Sequence, residues 1–200
     1  MKPVPMSLRK YLWPGPGIDR RNGFRALDGC HQRMLVASEA LRRLVTQVCA
    51  GPDADAAPSA SAVAEFFSKT VRQHHEDEER HVFPPLLQSG SKEVVEAVLR
   101  LQQDHGWLEE EWLELEPHVQ AIATGFGTCD RDTLRNGVDA FVTLLHDHIA
   151  LEEALIYPEA RQQLASLERQ AMGREMAARR REARCDWAET MPTARANRDA

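Results

Sequence analysis

Histidines and glutamates recur in this 200-residue chain at spacings that could build a metal site. His74 precedes Glu78 by four residues, and His148 precedes Glu152 by four residues. On a helix, residues four apart lie on the same face about one turn from each other, so each pair can present a nitrogen and a carboxylate to one cation. Imidazole combined with carboxylate suits iron, manganese or zinc.

The pattern occurs twice in the chain. Two further histidines, His31 and His105, are 74 residues apart, the same interval that separates the two His-x-x-x-Glu motifs. The segment 74–84 also aligns without gaps with the segment 148–158. We interpret the chain as two helical halves, each of which supplies one histidine and one His-x-x-x-Glu motif to a pseudo-two-fold site.

Apolar residues recur at helical spacing from Phe24 onward, and alternating β-branched runs are absent. This periodicity predicts an all-α chain with four long helices, at about 24–50, 59–81, 91–124 and 130–158. Short loops between long helices favour an antiparallel up-down-up-down four-helix bundle. Each helix places one histidine on its apolar stripe, and the helix lengths return all four to one layer. These histidines are His31, His74, His105 and His148.

The remaining segments predict a simple domain organisation. Residues 1–22 contain four prolines and are expected to form an irregular arm, neither helix nor central strand. The bundle is expected over 23–160, a short C-terminal helix over 161–185, and a flexible tail over 186–200. An arginine cluster at 179–181 is typical of a solvated helix end, although it could dock on an acidic surface.

Composition excludes several functional classes. The formal net charge of −6 argues against nucleic acid as a partner, because phosphate binding needs a concentrated positive face. Every apolar stretch is far shorter than the roughly 20 residues of a membrane-spanning helix, so no membrane partner is expected. The N-terminus has no signal-peptide pattern, and the four cysteines are isolated, so a cytoplasmic location is predicted. Catalytic serine triads and phosphate-binding loops are not apparent.

Burying four imidazoles and two carboxylates in one layer is costly unless each finds a partner. A hydrogen-bonded network that specifies the bundle is the structural alternative, but six groups at one height favour metal. Counting ligands favours two metal ions. Two bridging glutamates, four histidines and a bridging oxo or hydroxo group fill about ten of the twelve positions on two six-coordinate irons. About two positions then stay open for dioxygen, peroxide or water.

These motifs resemble the hemerythrin-like (HHE cation-binding) domain over roughly residues 24–160. The repeated Glu-Glu followed by an aromatic residue and proline, at 78–84 and 152–158, is similar to the family pattern too. The resemblance implies a non-haem, oxo- or hydroxo-bridged di-iron centre that binds or reacts with dioxygen or peroxide. The metal ligands that it implies are His31, His74, Glu78, His105, His148 and Glu152.

One position departs from the oxygen-carrying members of that family. They have a second histidine one turn before the position of His105, where this chain has Leu101. A missing nitrogen donor would open a second site, which favours reaction with peroxide over reversible oxygen carriage. Glu109 could replace it, although a solvated glutamate is the better interpretation. His75 is equally consistent with a contact to a metal ligand and with a surface position.

Three functions are consistent with these residues. The first is a di-iron protein for oxygen or iron sensing, storage, or oxidative and nitrosative defence; weak catalase- or peroxidase-like turnover stays open. The second is a regulatory module without turnover, whose metal or oxygen response is read by a protein partner. The third is a metal-free or zinc-binding structural bundle. The electron donor and the oligomeric state are not determined by the sequence.

Overall fold

A computed structural model of the chain describes residues 7–12, 22–50, 56–88, 91–125 and 131–190. Every regular element in these ranges is helical, so the predicted all-α fold is confirmed for them. The elements are α1 (Ser7–Leu12), α2 (Gly23–Ala50), α3 (Ala56–Glu65), a first π-helical segment (Phe66–Val71), α4 (Arg72–His81), α5 (Phe83–Leu87), α6 (Lys92–Thr124), α7 (Arg131–Leu151), a second π-helical segment (Glu152–Ile156), α8 (Tyr157–Gln163) and α9 (Ser166–Thr190).

The long helices contact one another in a ring. Helix α2 packs against α3 and α7, and α6 packs against the same two helices. Helix α9 lies against α2. None of the helices in the described ranges is long and apolar enough to cross a bilayer.

Two separate apolar clusters form the core. On α2, Leu27 belongs to one cluster and Met34 to the other, and the buried His31 lies between them in the chain. On α6, His105 likewise lies in the chain between Leu101 of one cluster and Leu108 of the other. The helices therefore hold their polar residues between two tightly packed apolar regions, which fixes their backbones on either side of those residues.

Two predicted helices are each divided by a π-helical segment. The predicted second helix consists of α3, the first π-helical segment and α4, and it ends at His81 as predicted. The predicted fourth helix continues past Pro158 to the end of α8, because proline is tolerated in the first turn of a new helical segment. A π-helical turn holds an extra residue and so changes which face the following residues occupy. The Asp130 start of that helix lies outside the described residues.

Part of the N-terminal arm is helical, so the prediction of an irregular segment over 1–22 is wrong there. Residues Ser7–Leu12 form α1, whose Leu8 and Leu12 are buried. The prolines of the arm lie on either side of α1 and none within it. The proline-rich composition of the whole arm therefore concealed a short apolar helix. Residues 1–6 and 13–21 lie outside the described part of the chain.

The C-terminal helix is longer than predicted. Helix α9 has 25 residues and runs to Thr190, whereas the prediction ended the helix at 185 and began a flexible tail at 186. The chain breaks from α8 at Leu164, which has an extended backbone, and re-enters helix at Ser166. Contacts of α9 with α2 and with Asp77 of α4 supply tertiary packing that composition alone does not reveal. Residues 191–200 lie outside the described part.

Candidate metal centre

The structure brings the six predicted ligand residues together in one buried layer. Each of them is at most 8% exposed, and His105 is the most accessible. Their donor atoms form two groups, and within each group all four atoms lie within 4.8 Å of one another. The first group contains His31, His74, Glu78 and Glu152, and the second contains Glu78, His105, His148 and Glu152. Both carboxylates therefore belong to both groups, and each group has two imidazoles of its own.

Atoms in the first group have the spacing of ligands around one cation. The Nε2 atoms of His31 and His74 are 3.1 Å apart, and His31 Nε2 is also 3.1 Å from Oε2 of Glu152. Neighbouring donors bound at about 2.1 Å and at right angles lie on the order of 3 Å apart. The observed spacings fit such an arrangement.

Atoms in the second group face one another without forming hydrogen bonds. His105 Nε2 lies 3.5 Å from Oε2 of Glu78, and His148 Nε2 lies 3.2 Å from Oε1 of Glu152. All four atoms are buried and have no hydrogen-bond partner among the described residues. Buried polar atoms without partners are costly, and a shared cation would satisfy all of them at once. The residues present therefore fit a bound metal.

Two carboxylates outside the layer orient the imidazoles. His31 Nδ1 lies 3.1 Å from Glu153, and His105 Nδ1 lies 3.1 Å from Glu79. When Nδ1 donates its proton to a carboxylate, the lone pair of Nε2 is directed into the site. The two contacts are related by the 74-residue repeat, since each pairs a histidine of one half with the second glutamate of the other half.

Burial and charge perturb the titratable groups of the layer. Burial, with the neighbouring Glu152 carboxylate, raises the pKa of Glu78 to about 7. Burial would lower the pKa of His148, but Glu152 and Asp104 outweigh it and raise that pKa to about 10. Burial, together with His31, lowers the pKa of His74 well below its usual value. His74 is therefore neutral at physiological pH, the form in which imidazole binds metal.

An aromatic residue breaks the symmetry of the site. Tyr157 is buried and stacks on His31 with 5.0 Å between ring centroids, and its hydroxyl donates a 2.5 Å hydrogen bond to Oε1 of Glu78. The residue 74 positions earlier is Phe83, which stacks on His105 with 5.5 Å between centroids. One half of the site thus has a phenol hydroxyl where the other half has only a hydrocarbon ring.

Several other polar residues are placed away from the layer. Glu109 forms a 2.6 Å ion pair with Arg72, which agrees with its interpretation as a solvated residue. His81 contacts Glu175 of α9 at 2.7 Å, and His146 contacts Ser38 at 3.0 Å.

Two further residues reach the second group: Asp104, which the sequence analysis did not single out, and His75, for which it left a contact to a metal ligand open. Asp104 is buried, with Oδ2 3.8 Å from Nδ1 of His148. One ring nitrogen of His75 lies within 4.8 Å of nitrogens of His105 and His148. Asp104 immediately precedes His105, and His75 immediately follows His74, so adjacency to a predicted ligand was the available signal.

A cavity of about 460 Å³ adjoins the second group. It lies between the first π-helical segment with α4 on one side and α6 on the other, and His75 and His105 form part of its wall. Its other walls combine apolar side chains, among them Phe67 and Leu108, with charged residues such as Arg72 and Glu79. Small molecules can therefore approach the second group from this side.

Comparison with known proteins agrees with this geometry. The chain belongs to the hemerythrin HHE cation-binding domain family, whose family model matches residues 22–160. The resemblance inferred from the motifs is confirmed. Together, the family and the two His–Glu groups define a metal-binding helical protein.

The curated proteins that this chain resembles are named only as uncharacterised proteins. Uncharacterised proteins of Mycobacterium tuberculosis and Mycobacterium bovis are each 28% identical to this chain over 139 residues, which is 68% of this chain and 50% of the relative. The chain therefore spans about half the length of these relatives. An uncharacterised protein of Haemophilus influenzae is 27% identical over 118 residues, 59% of this chain and 66% of the relative. No solved structure gives a significant match.

Proposed function

We propose that this protein holds two iron ions and that its function is to bind or react with dioxygen or peroxide. The observation that carries the proposal is the pair of four-donor groups that share Glu78 and Glu152. Two carboxylates common to two sets of imidazoles are suited to bridge two cations. A mixed imidazole and carboxylate set suits iron, manganese or zinc, and the family resemblance favours iron.

In this proposal, the ligands divide between the two ions according to the two groups. His31 and His74 bind the first iron, His105 and His148 bind the second iron, and the glutamates bridge them. The proposed bundle is antiparallel, up-down-up-down, over residues 23–160. The order in which the chain passes through the two apolar clusters supports this arrangement. Helix α2 runs from the cluster of Leu27 to the cluster of Met34, and the segment from α3 to α5 passes through the same two clusters in the opposite order. A cytoplasmic location stays a prediction.

When bound, a di-iron centre supplies electrons and Lewis-acid activation for reactions of dioxygen and peroxide. The protein's own residues would control access and protons. Glu79 and Glu153 keep Nδ1 of their histidine partners protonated, which leaves each Nε2 free for metal. Burial raises the pKa of Tyr157 well above its usual value, so its hydroxyl keeps a proton beside Glu78. Phe83 covers His105 with hydrocarbon and limits water at that side.

Elemental analysis of the purified, iron-reconstituted chain tests the metal content. Two irons per chain are expected, with a visible spectrum that changes when dioxygen or peroxide is added to the reduced protein. Saturation at one metal per chain, or preference for zinc when iron is in excess, would contradict the di-iron proposal. An unchanged spectrum with two irons bound would contradict the proposed reactivity alone.

A regulatory role without turnover is a second proposal, supported by the docking of α9. Asp77 is buried next to Glu78 in the chain, and its carboxylate is paired with Arg179 and Arg180 of α9. These arginines lie beyond the part of the chain matched by the family. A change in α4 on metal binding could therefore reach α9. Hydrogen exchange in α9 that is the same with and without iron would contradict this role.

A further inference from the structure

We propose that His75 is a third imidazole ligand of the second metal position, together with His105 and His148. The inference rests on the proposed di-iron function and makes the two irons chemically different. His75 would be a seventh metal ligand, in addition to the six His and Glu residues that the sequence motifs predict.

The position of the His75 ring is the first observation. One nitrogen from each of His75, His105 and His148 can be chosen so that all three lie within 4.8 Å of one another. The His75 ring is stacked on His105, with 4.0 Å between ring centroids, and its centroid is 5.5 Å from that of His148. Donors on one octahedral ion with bonds of about 2.1 Å lie between roughly 3 and 4 Å apart. The His75 and His105 rings are inclined by only 13°, so the proposal requires the His75 ring to rotate until its nitrogen lone pair points at the ion.

The second observation is an unused nitrogen. Nε2 of His75 is buried and has no hydrogen-bond partner among the described residues, and Nε2 of His105 and of His148 are in the same condition. Three imidazoles whose buried Nε2 atoms have no partner among the described residues are better satisfied by one cation than by one another.

The geometry of α4 explains how adjacent histidines can serve different metals. Successive residues on a helix point about 100° apart. His74 is directed to the first group and His75 to the second, while Glu78, one turn later, belongs to both. The π-helical segment Phe66–Val71 lies immediately before α4 and sets its rotation relative to α3. Such segments are frequent at functional sites because they change the direction of side chains that follow.

No equivalent donor exists at the related position of the other half. The residue 74 positions after His75 is Ile149, which is buried and apolar. Leu101, one turn before His105, is fully buried and apolar as well. His75 therefore supplies the nitrogen that the sequence argument expected to be missing at the second metal. The exchangeable position then belongs to the first metal, next to Tyr157.

The test uses the full chain loaded with iron, and compares His75→Ala with His81→Ala. Both histidines lie in α4, but His81 contacts Glu175 of α9 and is not among the donors of the two groups. Mössbauer spectra of the wild-type protein are expected to show two distinct iron signals. His75→Ala should change one signal and preserve the other, and one of the two irons should pass to a chelator at least about tenfold faster. His81→Ala should match the wild type in both measurements.

Chemical rescue separates a ligand from a structural role. The cavity of about 460 Å³ reaches His75, so free imidazole can enter the space left by His75→Gly. Imidazole is expected to restore the wild-type iron signal and the slow release. Spectra and release rates of His75→Ala equal to those of the wild type would overturn the inference, as would a changed signal that imidazole fails to restore in folded His75→Gly protein. A wild-type chain that does not bind two irons would instead overturn the proposed function.

Discussion

The hydroxyl of Tyr157 gives the sharpest prediction, because its oxygen can be removed while the aromatic ring keeps its packing. Tyr157→Phe deletes the donor of the 2.5 Å hydrogen bond to Glu78 and keeps the aromatic ring that stacks on His31. Tyr157 is 1% exposed and Glu78 is 0% exposed, so water cannot easily replace the donor. The repeat-related Phe83 indicates that a phenyl ring is compatible with this environment.

The expected loss follows from the charge of the acceptor. A hydrogen bond to a charged group contributes about 1.5–3 kcal/mol to the free energy of unfolding. Metal-free Tyr157→Phe should therefore unfold with about 2 kcal/mol less stability, when measured above the Glu78 pKa of about 7. For a chain of this size, the melting temperature should fall by roughly 4–8 °C.

Urea unfolding followed by circular dichroism measures this difference, and Tyr11→Phe is the matched control. Tyr11 is 47% exposed, so deletion of its hydroxyl should change stability by less than about 0.5 kcal/mol. In the iron-loaded protein, Tyr157→Phe should retain both irons, because Tyr157 is not a proposed ligand. Equal unfolding free energies for the two metal-free variants would refute the argument that the Tyr157–Glu78 bond stabilises the buried layer.

Three further predictions concern the metal layer and its attachments. Removal of iron should lower the melting temperature by several degrees, because metal at 100 times its dissociation constant adds about 2.7 kcal/mol to the free energy of unfolding. Equal melting temperatures of the metal-free and iron-loaded protein would contradict the proposed metal site. Asp77→Asn should release α9 to limited proteolysis and cost about 2 kcal/mol in urea unfolding. Glu76→Gln, at an exposed carboxylate 3.4 Å from Arg179, is its control. Leu101→His should slow air oxidation of the reduced protein in a His75→Ala background, and stopped-flow spectra that show no slowing would contradict this.

Much of this architecture could be predicted from local patterns. Apolar residues at helical spacing identified the long helices, and the end of α4 at His81 followed from the prolines that come next. The 74-residue repeat grouped the six His and Glu residues, and they meet in one layer. Their role as metal ligands stays a prediction. Such patterns are informative because helix periodicity and burial are both encoded in neighbouring residues.

Segment composition was less informative at the ends of the chain. Counting prolines over residues 1–22 concealed α1, whose six residues contain none. The arginine cluster at 179–181 was typical of a solvated helix end, with docking on an acidic surface as the alternative, and Arg179 and Arg180 pair with the buried Asp77. The flexible tail was predicted from 186, yet α9 continues to Thr190. Helix α1 has only six residues, too few to be stable in isolation, so it depends on tertiary contacts. The docking of α9 depends on Asp77 of another helix, and residue counts within a segment do not contain such contacts.

The sequence by itself determined the class of site: two repeated helical halves, six imidazole and carboxylate groups, and apolar stripes that bury them. Only the tertiary structure decided how these groups are divided, with Glu78 and Glu152 common to both sets and His75 turned toward the second. It also decided that the hydroxyl of Tyr157 reaches Glu78. The reason is that a regular periodicity assumes uniform helices, whereas π-helical segments rotate the residues beyond them. Contacts between helices are likewise set by packing over the whole chain, and local spacing does not specify them.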